Sequence, residues 1–124
     1  IKDLIACVGQ VESRYEHIVQ MGGGPALGFW QMEPATFRDH QAYLKAKDCA
    51  LFSGADPVIL TRPLDAIQIV RLHFFRRPGA IPQPSMGSGY AEALSALHKS
   101  AYNTAMGKAD LATNTKIIKE YLKT

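Results

Sequence analysis

Three groups of residues in this 124-residue chain carry side chains able to do chemistry. The first is Glu12. Ile1, Ile5, Val8 and Glu12 recur at helical steps, with Leu4 and Val11 adjoining, so Glu12 ends the apolar stripe of an amphipathic helix. A carboxylic acid on such a seam loses water and is expected to have its pKa pushed upward, which would let it protonate a glycosidic oxygen near neutral pH. The plain alternative is a glutamate that turns its head to solvent, as most helix glutamates do. The second group is Ala26-Leu27-Gly28-Phe29-Trp30-Gln31-Met32-Glu33-Pro34-Ala35-Thr36, a glycine-turned loop that carries aromatic groups and an amide into a helix start. Aromatic faces stack on pyranose rings, and an amide offers a donor and an acceptor to ring hydroxyls and N-acetyl groups. Core packing by Phe29 and Trp30, with Gln31 and Glu33 solvated, is the competing reading. The third is Ala101-Tyr102-Asn103, a phenol and an amide where a helix leaves the core. The phenol could fix the proton of a nearby carboxylic acid, whereas a buried Tyr with an Asn closing the helix is the alternative.

These groups need elements to hold them. The stripe ending at Glu12 predicts a first helix, which Gly22-Gly23-Gly24-Pro25 breaks. Pro34 suits the first turn of a second helix, running to about Lys47. Leu51 to Thr61 reads as irregular. Pro63 opens a third helix carrying Leu64, Ile67, Ile69, Val70, Leu72, Phe74 and Phe75, which is apolar on most sides and therefore expected to be central. Pro78 to Gly89, rich in proline and glycine, predicts a long surface loop. Tyr90, Leu94, Leu97 and Ala101 share one face of a fourth helix, and a last helix near Asn114 to Leu122 turns Ile118, Tyr121 and Leu122 inward. No segment alternates with period two, so residues 1–124 are expected to form one all-α domain.

The composition fits a folded chain, with 47% hydrophobic and 20% charged residues. Disorder and fibrous repeats are poor fits, and no apolar run is long enough to span a bilayer. Because it begins at Ile1, the chain is expected to be processed or excised from a longer protein. A net charge of +3 is a mild bias toward anionic partners, too small for a nucleic-acid binder without a recognised motif. Cys7 and Cys49 show neither a CxxC nor a zinc-ligand spacing, and both are read as buried thiols. His17, His40, His73 and His98 show no HExxH or other tight ligand spacing, so no metal and no cofactor is expected. His73 is read as a satisfied core residue. Arg71, Arg76 and Arg77 crowd one helix end and complement its dipole. The triple glycine lacks the Lys-Ser/Thr of a phosphate loop.

In order and approximate spacing, Glu12-Ser13, the Ala26 to Thr36 loop and Ala101-Tyr102-Asn103 resemble the motifs of the lytic transglycosylases with a goose-type-lysozyme-like domain. The resemblance spans most of the chain. It implies a lysozyme-like all-α fold in which Glu12 is the single catalytic acid/base. Gly28, Phe29, Trp30, Gln31, Pro34 and Thr36 would line the cleft, and Tyr102 with Asn103 would place a phenol beside Glu12. The loop wording is most similar to versions encoded by tailed bacteriophages, which implies action from a virion or in the host periplasm and cell wall. The expected partner is peptidoglycan, met by a monomeric domain or by part of a larger virion protein.

The resemblance implies cleavage of the β-1,4 bond between N-acetylmuramic acid and N-acetylglucosamine. Glu12 would protonate the leaving oxygen and then act as base on the muramic C6 hydroxyl, closing a 1,6-anhydro ring without water. One carboxylate then suffices, whereas two-carboxylate glycosidases need a partner about 5 to 9.5 Å away. Two residues depart from the pattern. Gly22 stands where the family often has a serine. Glu33 stands where goose-type lysozymes carry an aspartate, and a second acid there would activate water and make the chain a muramidase. Alternatively, Glu33 is an exposed carboxylate favoured by the positive end of the helix at Pro34. A wall-binding module without turnover is the rival of a different class.

Overall fold

A computed structural model describes residues 1–16, 24–77, 79–102 and 111–123. They form five helices: α1 (Lys2–Ser13), α2 (Pro34–Ala46), α3 (Pro63–Phe75), α4 (Tyr90–Ala101) and α5 (Leu111–Leu122). Short 3-10 turns at Pro57–Thr61 and Pro84–Gly89 join them, and the described residues contain no strand. The all-α expectation holds among these residues.

Local chemistry sets the helix ends. Pro34 and Pro63 open α2 and α3, where a residue without an N–H costs no intrahelical bond. Arg14 closes α1 in the left-handed conformation, and its N–H reaches back to the Gln10 carbonyl. The predicted irregular stretch after Leu51 contains a 3-10 turn that its spacing did not reveal. Asp56 caps that turn by accepting from the Val58 N–H at 2.8 Å, and Pro57 follows in the first position. The last helix spans Leu111–Leu122 among the described residues, so it includes the turn before the predicted Asn114, and it buries Asn114 along with Ile118.

The core joins Leu4, Cys7 and Val8 of α1, Phe37 of α2, Ile69, Val70 and Phe74 of α3, Leu94 of α4 and Ile118 of α5. Each fully buried aliphatic or aromatic side chain of this kind contributes about 1.5–3 kcal/mol. Helices α1, α4 and α5 pack together, while α2, the 57–61 turn and α1 pack against α3. Two polar pairs fasten α1 to α4. The Tyr90 hydroxyl donates to Asp3 Oδ2 at 2.8 Å, and His98 meets Glu12 at 2.9 Å. The pairings ascend together along both helices, so α1 and α4 run parallel and their C-terminal ends lie side by side.

Two expectations are corrected. Leu64 and Phe75 of α3 are 79% and 76% exposed, so this helix is not wrapped on all sides. A helix apolar all round has no periodicity to reveal which face the fold will cover. Cys49 is exposed, because it lies past the end of α2, where the chain turns out through a left-handed Asp48. Cys7 is buried as expected, and burial pushes its thiol up to about 11.

Candidate active site

Helix α1 carries Glu12 to its last turn, next to the buried Ser13. The Ser13 hydroxyl donates to the Gly9 carbonyl at 3.2 Å and accepts the Tyr15 N–H at 3.1 Å, which secures the end of the helix. Tyr15, also left-handed, folds its ring back over Gly9 and donates its hydroxyl to the Ala6 carbonyl at 2.7 Å. A Cβ at Gly9 would meet that ring, so a side chain there would have to push the Tyr15 ring aside.

The Glu12 side chain remains 22% exposed, at the edge of the core. Its Oε2 lies 2.9 Å from Nε2 of His98, a side chain only 1% exposed. The His98 ring packs against Tyr102 with centroids 5.0 Å apart. Tyr102 is further held by Phe74, stacked at 6.2 Å, and by the edge of His73 at 5.2 Å. Its hydroxyl is buried and has no partner among the described residues. Burial, reinforced by the negative charge of Glu12, raises its pKa well above the usual phenol value and keeps the proton on the oxygen. The structure thus brings Glu12 and Tyr102 into one cluster and adds His98 between them.

A directed chain of hydrogen bonds supports the backbone before Tyr102. Arg76 Nη1 lies 3.0 Å from His40 Nδ1, His40 Nε2 lies 2.9 Å from His73 Nδ1, and His73 Nε2 lies 2.9 Å from the Ala101 carbonyl. Arginine can only donate, so Nδ1 of His40 accepts. His40 therefore donates from Nε2, His73 accepts at Nδ1, and His73 donates to Ala101. Arg77 donates to the same carbonyl at 3.0 Å. His73 is the satisfied core histidine that the sequence suggested.

The Gly28 loop is a closed turn. Leu27 and Met32 exchange backbone hydrogen bonds across it at 2.9 and 3.1 Å. Gly28 has φ +79°, and a methyl group there would overlap the Leu60 carbonyl oxygen. Gln31 is left-handed as well, with φ 48°, and its side-chain amide donates back to the Gly28 carbonyl at 2.8 Å. An uncommon backbone conformation for a residue with a side chain is thus held in place by the amide itself.

The two aromatic groups of the loop separate. Trp30 is 4% exposed, and its indole N–H donates to the Ile5 carbonyl of α1 at 2.7 Å. It is a core group that fastens the loop to α1, so its ring has no open face for a sugar. Phe29 is partly exposed and packs edge-on against Tyr15 at 5.5 Å and Trp30 at 6.3 Å. Glu33 precedes α2 in extended conformation, partly exposed, without a side-chain bond to the helix end. Asn103 and Gly22 lie outside the described residues.

His98 is the member that sequence reasoning missed. Its signal was position, since it follows Leu94 and precedes Tyr102 at helical steps on the apolar side of α4, and not metal-ligand spacing. Among the described residues no group of three or more His, Cys, Asp or Glu side chains could hold a metal ion. No helix among them is long and apolar enough to cross a membrane. No family model matches the chain, and no curated protein or solved structure matches it.

Proposed function

We propose that this chain cleaves peptidoglycan glycan strands between N-acetylmuramic acid and N-acetylglucosamine, as a lytic transglycosylase with a lysozyme-like helical domain. The observation that carries the reading is the Glu12 carboxyl. It sits at the rim of the core with part of its surface open, one oxygen held by His98 and a protonated phenol in the same cluster. Such a group can give a proton to a leaving glycosidic oxygen and take one back. In the proposed reaction the bond from the muramic C1 to the leaving oxygen breaks as Glu12 protonates that oxygen. The C6 hydroxyl then attacks C1 and loses its proton to Glu12, which closes the anhydro ring and returns the acid. The Gly28 loop would offer the partly open Phe29 ring to the glycan. Such an enzyme would act at the bacterial wall, as a virion component or during lysis of a phage host.

The test is digestion of purified cell walls with mass spectrometry of the released muropeptides. Products lighter by one water are expected. Reducing ends in their place would indicate hydrolysis, with Glu33 the first candidate to activate water, and wall binding without release would indicate a binding module. Glu12→Gln should lower release by about 10²–10⁴-fold with the fold preserved, the range for a lost general acid. Full activity of that variant would remove Glu12 from its role.

A further inference from the structure

The Glu12–His98 contact extends the reading above, and its kinetic test rests on that reading. His98 lies on α4 with 1% of its side chain exposed, so no substrate atom reaches its ring. Its Nε2 is taken up by Glu12 Oε2 at 2.9 Å, and its Nδ1 is buried without a partner among the described residues. A bare lone pair at Nδ1 is less costly to bury unpaired than a charged N–H would be. The geometry therefore favours the proton at Nε2, donated to the carboxylate. The Tyr102 ring packed on the imidazole limits how it can turn.

We infer that His98 is the positioning residue for Glu12: its Nε2–H, donated to Oε2, fixes the rotation of the carboxyl and leaves Oε1 as the oxygen that exchanges a proton with substrate. Through the cycle the His98 proton stays between Nε2 and Oε2. Oε1 alone loses a proton to the leaving oxygen and regains one from the C6 hydroxyl. Among the described residues the His98 imidazole meets the carboxyl from α4, and the Tyr102 phenol lies in the same cluster just past the end of that helix.

The experiment reads the Glu12 carboxyl carbon and the His98 ring nitrogens by NMR in the full chain and measures the kinetics of muropeptide release. His98→Leu should move the Glu12 carboxyl carbon signal away from its native position. It should lower kcat by about tenfold with little change in KM, in keeping with loss of a hydrogen bond to a charged group. His98→Gln, whose amide nitrogen can occupy the place of Nε2, should restore most of both. A Glu12 carboxyl signal and a kcat identical to those of the native chain in folded His98→Leu would overturn the assignment. If His98→Leu does not fold, the ring nitrogen shifts of His98 in Glu12→Gln decide: a change from the native values is expected, and identity overturns the pairing. A native chain that releases no muropeptide defeats the glycan reading, while the Glu12 carboxyl signal still decides whether His98 holds the carboxyl.

Discussion

His40 donates its Nε2 proton to Nδ1 of His73 across 2.9 Å, and the direction of that bond is imposed from outside, because Arg76 brings only donors to the other ring nitrogen of His40. Protonating either ring would set one N–H against another. Burial pushes His40 down to about 4, and the charges of His73 and Arg76 push the same way, against a smaller opposing effect of Asp39. Burial also lowers His73, opposed by its bond to the Ala101 carbonyl.

Acid should therefore loosen the fold in a defined window. An unfolded histidine takes up its proton near 6.5. Between about 6.5 and about 4 the unfolded chain binds a proton that folded His40 refuses, so stability is complete above that window and falls as pH drops through it. The Tm measured from pH 7 to pH 4 should decline through this range. His40→Asn, which can accept from Arg76 but cannot reach His73, should give a shallower slope. A flat native profile would show that the pair does not govern acid stability.

Gly28 should tolerate no side chain. Its positive φ and the Leu60 carbonyl beside it make alanine both strained and overlapping. Gly28→Ala is expected to cost about 1–3 kcal/mol, seen as a lower denaturant midpoint. An unchanged midpoint would mean that the 57–61 turn yields without resistance.

Trp30 and Phe29 should separate in their effects. Trp30→Phe removes the indole bond to the Ile5 carbonyl from a buried position and should cost about 1–3 kcal/mol in stability, with KM for wall fragments little changed. Phe29→Ala should act chiefly on KM. The reverse pattern would return Trp30 to the glycan and Phe29 to the core.

The two thiols should differ in reactivity. Cys49 is exposed, whereas Cys7 is buried and pushed up to about 11. A disulfide reagent at pH 8 should label one thiol per folded chain quickly and the second only on unfolding, because the thiolate is the reacting form. Rapid labelling of both would show that α1 opens readily from the core.

The sequence by itself determined what local chemistry controls. Prolines at helix starts, the apolar stripes of α1 and α4, and the glycine turn at Gly28 depend on neighbours within a few residues, and the structure places them where the spacing did. The stripe also carried Glu12 to the edge of the core. Only the tertiary structure decided the rest. Glu12 and His98 stand far apart in the chain, and their contact exists because α1 and α4 run parallel, a fact that no single helix encodes. Trp30 turned inward because Ile5 offered its indole a carbonyl. Leu64, Phe75 and Cys49 remained outside because an apolar side chain reports a preference for burial, while the available cover depends on which other elements arrive.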